Sequence, residues 1–149
     1  MSISALAVRR RSKAEYDIRR PRKLIQGEHT MKFMLILKST KDSEAGKMPS
    51  EETINAMVKY NQEQAAAGVL LDAAGLYPSS TGARVNVSAD GKKTVIDGPF
   101  TESKELVAGY WLIKVKSVEE AIEWAKRTPT TPGQEVQIEV RQFIEFGDD

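Results

Sequence analysis

The sequence VAGYWLIKV at residues 107–115 is a nearly continuous apolar run. Its apolar residues do not alternate with polar ones, so the pattern predicts a strand in the middle of a sheet, buried on both faces. Ser117-Val-Glu-Glu120 follows as a capping box, in which the serine and the acid three residues later each accept a hydrogen bond from the other's backbone amide. This motif predicts a helix to about Arg127. Its expected inward stripe is Val118, Ala121, Ile122 and Ala125.

The same strand-then-helix order occurs near residue 31. MKFMLILK at residues 31–38 is a second apolar run, and it too predicts a strand buried on both faces. Pro49-Ser50-Glu51-Glu52 offers a capping hydroxyl and two acids for a first helical turn, so a helix is predicted over about 51–67, ended by Gly68. The expected inward stripe of this helix is Ile54, Met57, Val58, Asn61 and Ala65.

The remaining segments predict three more pieces of sheet. Residues 69–76 form a strand, and residues 83–88 and 94–97 flank Asp90-Gly91 as a hairpin. An alternating strand follows at 136–141. The resulting order, βαββαβ with an inserted hairpin, predicts an α+β fold, a ferredoxin-like sandwich. Two helices cover only one face of such a sheet, so we expect a homodimer that covers the other face.

Composition restricts the chemistry of this chain. A length of 149 residues suits one domain, and no apolar run approaches the length of a membrane-spanning helix, so we expect a cytoplasmic protein without a membrane partner. The absence of cysteine excludes disulfides and thiolate sites, and the single histidine, His29, leaves the body without imidazole. We predict no metal site and no cofactor.

Charge is concentrated at the N-terminus. Residues 1–30 contain eight Lys or Arg and three Asp or Glu, which leaves 14 basic and 18 acidic residues in 31–149. The acidic body argues against nucleic-acid binding. The first thirty residues predict a disordered basic extension. Three origins stay open for it: translation starting at Met31, a tail with an electrostatic partner, or a targeting peptide.

Asp97-Gly98-Pro99-Phe100, followed by Thr101-Glu-Ser-Lys-Glu105, resembles the signature of the DGPF branch of the YCII-related family. Supporting stretches are the apolar run from Met31, Gly109-Tyr-Trp, the helix sequence at 119–125 and Glu139-Val-Arg141. The resemblance covers residues 31–146. It implies a bacterial protein with a dimeric α+β barrel, and a small cleft between helices and sheet in each subunit.

The resemblance implies less about activity. Better-studied YCII-related proteins pair a histidine on the first helix with an aspartate, but the matching position here is near Met57, and the body has no histidine. A histidine-based mechanism is therefore not carried over. Two functions stay open: a protein that binds a small polar metabolite beside the DGPF turn, with or without carboxylate acid–base chemistry, and a non-catalytic dimer acting through a transcription-related partner such as a sigma factor. Whether the protein is an enzyme stays open.

Candidate site residues follow from the turn and its surroundings. Asp97 is the candidate general base, because Phe100 can partly desolvate its carboxylate. The competing interpretation is a turn cap. Gly98 and Pro99 are expected to shape the turn. The candidate ligand-binding residues are Tyr60, Asp72, Lys104 and Tyr110.

Overall fold

The computed structural model describes residues 29–146. Residues Thr30–Gln142 form a compact unit that contains the helices and strands described here, while His29 and Phe143–Phe146 belong to a second unit and have no regular structure. The basic extension predicted over residues 1–30 lies, except for its last two residues, outside the described part of the chain. No helix between residues 29 and 146 is long and apolar enough to span a membrane.

Six strands and three helices follow one another in the predicted order, apart from one short extra helix. They are β1 (Met31–Lys38), α1 (Lys41–Glu44), α2 (Glu51–Ala66), β2 (Leu70–Gly75), β3 (Ala83–Val87), β4 (Lys93–Asp97), β5 (Val107–Val115), α3 (Val118–Lys126) and β6 (Ile138–Gln142). The extra helix is α1, where Thr40 and Ser43 form a capping box. Short 3-10 turns occupy Ser79–Thr81 and Ser103–Glu105.

Four strands form one antiparallel sheet in the order β2-β5-β1-β6. The apolar strands β1 and β5 lie at its centre, with Leu35 opposite both Trp111 and Val140. This order confirms the ferredoxin-like α+β fold. The sheet of one chain is open at β2 and β6 and does not close into a barrel. The homodimer, and a barrel built from two such sheets, stay predictions.

The hydrophobic core lies between the sheet and helices α2 and α3. Its fully buried members include Phe33, Leu35 and Ile113 on the central strands, with Trp111 and Trp124 beside them. Within one chain, β1 and β5 are buried on one face only, so burial of their second face stays a prediction, like the homodimer that would cover it. Alternate residues, such as Met34, Ile36 and Leu112, point to the opposite face, which the described part of the chain leaves half-exposed.

The predicted inward stripe of α2 is confirmed only in part, because Met57 packs against the core and Asn61 accepts a hydrogen bond from the Trp111 indole. Ile54 and Val58 are 38% and 49% exposed, and the helix is rotated by about one residue. Contacts of Tyr60 fix this rotation, because its hydroxyl donates to the Trp124 carbonyl at 2.6 Å and its ring packs edge-on against Trp111. The residues of α2 that are buried are Thr53, Tyr60 and Gln64.

The predicted stripe of α3 is likewise confirmed in part, because Ala121 is buried and Ala125 packs against the core. Val118 and Ile122 are exposed, whereas Ala121 and Trp124 are buried. The large indole of Trp124 fills more of the core than either branched aliphatic side chain could, so burying it turns the helix away from the predicted stripe.

Strands β3 and β4 form a separate two-stranded sheet, called the ribbon below. Its connection spans residues 88–92, where Gly91 has a φ of +92° and the Ser88 amide donates to the Lys92 carbonyl at 2.8 Å. Every residue of both strands is exposed. The DGPF turn, Asp97–Phe100, begins at the last residue of the ribbon and leads back to the body.

Candidate functional site

The DGPF turn is tied to the body by the side chain of Ser79. The Phe100 amide donates to Ser79 Oγ at 2.9 Å, and Ser79 Oγ donates to Glu44 Oε1 at 2.5 Å. The Ser79 amide donates to the other carboxylate oxygen of Glu44 at 3.0 Å. This network joins α1, the 3-10 turn at Ser79 and the DGPF turn.

Gly98 is required by close packing of two backbone segments. A Cβ at this position would lie 1.9 Å from the Ser79 carbonyl oxygen, a distance that no side chain tolerates. The Gly98 amide donates to the Gly82 carbonyl at 3.0 Å, and the Gly98–Pro99 peptide bond is cis. The expected shaping role of Gly98 therefore comes from the missing side chain and not from a positive φ angle.

Asp97 lies at the exposed end of β4. Among the hydrogen bonds and ion pairs of residues 29–146, none involves its carboxylate. A capping aspartate could accept a hydrogen bond from the Phe100 amide, but this amide donates to Ser79 Oγ instead. Phe100 itself lies under the Arg84 guanidinium, 3.8 Å from the ring centroid, so its ring is engaged with a cation.

Tyr60 is placed in the core and not in a ligand site. Only 2% of it is exposed, and its hydroxyl is committed to the Trp124 carbonyl. Burial raises the pKa of the Tyr60 phenol above its usual 10.0, because the anionic form would lose its hydration.

Asp72 and Tyr110 come together on the face of the sheet opposite the helices. The Tyr110 hydroxyl donates to Asp72 Oδ2 at 3.2 Å, and the Asp72 carboxylate raises the pKa of this phenol by its negative charge and its hydrogen bond. Asp72 is exposed to solvent. Lys104 lies exposed in the 3-10 turn at 103–105. The predicted site residues are thus spread over four regions.

A cleft of about 240 Å³ lies between helix and sheet, as the resemblance implied. The N-terminal part of α2, the segment around α1, the end of β1 and the loop after α3 form its walls. Apolar contributions include Leu37, Met57 and Val136. Six hydroxyl-bearing residues line it: Thr40, Ser43, Ser50, Thr53, Thr130 and Thr131.

Hydrogen bonds engage several of these hydroxyl groups. Thr53 Oγ1 lies 3.1 Å from Ser50 Oγ and 3.3 Å from Thr131 Oγ1, which links α2 to the loop after α3. On the opposite wall, Gln134 Nε2 donates to Thr40 Oγ1 at 3.3 Å. Because hydroxyl groups both donate and accept, this lining can exchange its internal bonds for bonds to a polar guest.

The cleft and the DGPF turn share α1 as a common wall. Ser43 lines the cleft, and the next residue, Glu44, holds Ser79 and through it the Phe100 amide. None of the predicted site residues lines the cleft. The cleft residues were not predicted as site residues from the sequence, although Ser50 is a predicted helix cap and Thr130-Thr131 lies between two prolines.

Comparison with known proteins places the chain in a family. Residues 31–146 match the YCII-related domain. The chain is also 33% identical, over 95 residues, to an uncharacterised protein of Rhizobium meliloti (strain 1021), an alignment that covers 61% of this chain and 76% of that protein. The matched region begins at the first residue of β1 and includes the sheet, both core helices, the ribbon and the cleft. The protein therefore belongs to the YCII-related domain family.

Proposed function

We propose that the cleft between α1, α2 and the loop after α3 binds a small polar molecule. The observation that carries the proposal is the ring of six hydroxyl-bearing residues around a volume of about 240 Å³. Sites for drug-sized ligands usually measure about 300–1,000 Å³. The guest is accordingly a small metabolite, and it is recognised by hydroxyl and amide groups.

The charges at the cleft favour a guest that is neutral or carries a single negative charge. Lys38 and Lys47 line the cleft together with one carboxylate, Asp42. Lys47 Nζ lies 3.5 Å from Asp42 Oδ1, and both side chains are more than half exposed, so this ion pair contributes little. Lys38 is only 16% exposed and faces Glu139 at 3.5 Å. A positive charge on the guest would be repelled by Lys38 and Lys47.

Binding is proposed here without a reaction. A general base needs a carboxylate or imidazole within hydrogen-bond reach of the substrate. Asp97 lies outside the cleft lining, and Asp42, the carboxylate that does line it, is exposed beside Lys47. The finer placement in the DGPF branch is a prediction that rests on Asp97–Phe100.

The test is a thermal-shift screen of the full chain against small polar metabolites, repeated with Thr131→Val and Asp97→Asn. Thr131→Val removes one lining hydroxyl at nearly constant volume. A compound at about 100 times its Kd adds about 2.7 kcal/mol. This corresponds to roughly 5–10 °C in Tm for a chain of this size. We expect the shift to persist in Asp97→Asn and to shrink in Thr131→Val.

Thr94→Val is the matched control, because it makes the same hydroxyl-to-methyl change on the ribbon. Its Tm shift should equal that of the native chain. A shift that is lost in Asp97→Asn and kept in Thr131→Val would move the site to the DGPF turn. If no compound raises Tm, the cleft proposal fails and the alternative, a module that acts through a transcription-related protein partner, is favoured.

A further inference from the structure

The ribbon carries apolar side chains that the described part of the chain does not cover. Val85, Val87 and Val95 are 60%, 61% and 67% exposed. An isolated two-stranded hairpin is only marginally stable in water, and exposed apolar strands favour association. Covering the exposed valines of the ribbon with a partner surface would therefore be favourable.

Cross-strand pairing sorts the ribbon residues into two faces. Residues directly opposite each other share a face, and the pairs are Ala83 with Asp97, Val85 with Val95, and Val87 with Lys93. These six residues form what we call the valine face. The other face contains Arg84, whose guanidinium packs on Phe100 at the base of the ribbon.

The valine face has a self-complementary pattern. On β4, Lys93 and Asp97 are each two residues from Val95, which places them about 7 Å to either side of it. On β3, Ala83 and Val87 flank Val85 in the same way. The face is thus apolar at its centre and carries opposite charges at equal distances along one strand.

We infer that the valine face of the ribbon binds the valine face of a second copy of this chain, with the two ribbons antiparallel. The two-fold axis would run across the strands between the faces, so that Val85 and Val95 each meet their own counterparts. Lys93 then faces Asp97 of the second copy, and the symmetry makes this ion pair twice. Each remaining contact joins Ala83 to Val87.

The charges determine the orientation of this contact. Rotating one ribbon to lie parallel to the other removes both ion pairs, because Lys93 then meets valine and Asp97 meets alanine. The six residues per copy are fewer than the roughly 20–30 of a standard interface. We therefore expect a weak, reversible dimer that depends on ionic strength.

The inference is independent of the proposed ligand cleft. It also differs from the dimer predicted through the sheet, because the valine face lies on the ribbon and not on the face that contains Met34 and Leu112. It assigns the Asp97 carboxylate to an intermolecular ion pair.

Sedimentation equilibrium of the full chain and four variants tests the inference. Lys93→Asp and Asp97→Lys each place like charges opposite one another at both ends of the contact, and each should weaken dimerisation roughly tenfold or more. The combined Lys93→Asp and Asp97→Lys variant restores opposite charges, and its dimer Kd should return to that of the native chain. Thr94→Asp is the matched control on the other face and should leave the Kd unchanged.

Circular dichroism of each variant confirms that these exposed substitutions leave the fold intact. A native chain that stays monomeric at its highest soluble concentration would overturn the inference. So would single reversals with the native Kd, which would assign any dimer to another surface such as the sheet. Failure of the combined variant to recover would also overturn the inference, because restored charge pairs must restore the contact.

Discussion

The four-stranded sheet and the ribbon are built from similar residues but are held in place differently. In the sheet, Phe33, Leu35 and Ile113 are at most 1% exposed, whereas the valines of the ribbon are at least 60% exposed. Burial of one such side chain contributes about 1.5–3 kcal/mol. The sheet receives this contribution at many positions, whereas the ribbon depends on its turn and its base. Strand-forming residues alone therefore do not make a strand stable. The stability of the strand depends on the side chains that pack against it.

Truncating one side chain in each region is the most direct test of this difference. Ile113→Ala should lower the free energy of unfolding by about 2–5 kcal/mol, because it leaves a cavity among fully buried neighbours. Val95→Ala should change it by less than about 0.5 kcal/mol at concentrations where the chain is monomeric. Urea unfolding followed by circular dichroism measures both. Equal losses would show that the ribbon packs on the body.

The base of the ribbon should be more sensitive than its strands. Gly98→Ala places a Cβ against the Ser79 carbonyl, so one backbone segment must move, at a cost of about 1–3 kcal/mol. Gly82→Ala is the matched control, because its Cβ would meet no atom closer than 3.7 Å and its backbone is extended. The same urea titration applies. A Gly98→Ala protein as stable as the Gly82→Ala protein would contradict the close packing described here.

Removing the carboxylate that holds Ser79 should have a smaller effect. Glu44→Ala leaves the Ser79 amide and hydroxyl without their acceptor and should cost about 1–2 kcal/mol. Amide exchange at Ser79 and Phe100 should accelerate, while exchange in β1 and β5 stays slow. Asp42→Ala serves as the control on the same helix, because its exposed ion pair with Lys47 contributes little. Unchanged amide exchange at Phe100 in the Glu44→Ala protein would show that the Glu44–Ser79 network does not hold the DGPF turn.

The smallest expected effect concerns the face of the sheet opposite the helices, where Asp72 and Tyr110 meet. Asp72 raises the pKa of Tyr110, so Asp72→Asn should bring that pKa back toward 10.0. Tyr60, whose pKa is raised by burial, should be unaffected. NMR titration of the ring carbons separates the two phenols. A Tyr110 pKa that is the same in both proteins would exclude the contact with Asp72.

The sign of the pH dependence follows from that shift. The folded chain holds the Tyr110 proton more tightly than the unfolded chain does. Its contribution to stability is therefore fully present below the unfolded pKa of about 10 and is lost as the pH rises through the higher folded value.

Local signals in the sequence predicted much of the fold. Ser50 and Ser117 both accept the expected bond from the third helical residue, and the helices begin where these caps place them. The rotation of α2 could not be predicted by counting apolar residues. It depends on Tyr60 contacting Trp124, 64 residues away, and on Thr53 contacting Thr131, 78 residues away.

The candidate site was harder to predict for the same reason. The DGPF sequence identified the turn, but the residues that hold it, Ser79 and Glu44, are 21 and 56 positions earlier in the chain. The cleft combines residues from 37–57, 108 and 129–136, and its hydroxyl-bearing residues resemble ordinary caps and loop residues when each is considered alone. Asp72 and Tyr110 meet only because β2 and β5 are neighbours in the sheet.

The placement of the two tryptophans gives the body an optical signal that the ribbon lacks. The Trp111 indole donates to Asn61 Oδ1 at 2.7 Å, and the Trp124 ring lies under the Arg127 guanidinium at 4.1 Å. Both indoles therefore report, through their fluorescence emission, on the packing of α2 and α3 against the sheet. The ribbon contains no aromatic residue between Ala83 and Asp97. Self-association through the ribbon should leave tryptophan emission unchanged, while loosening of α2 should shift it to longer wavelength.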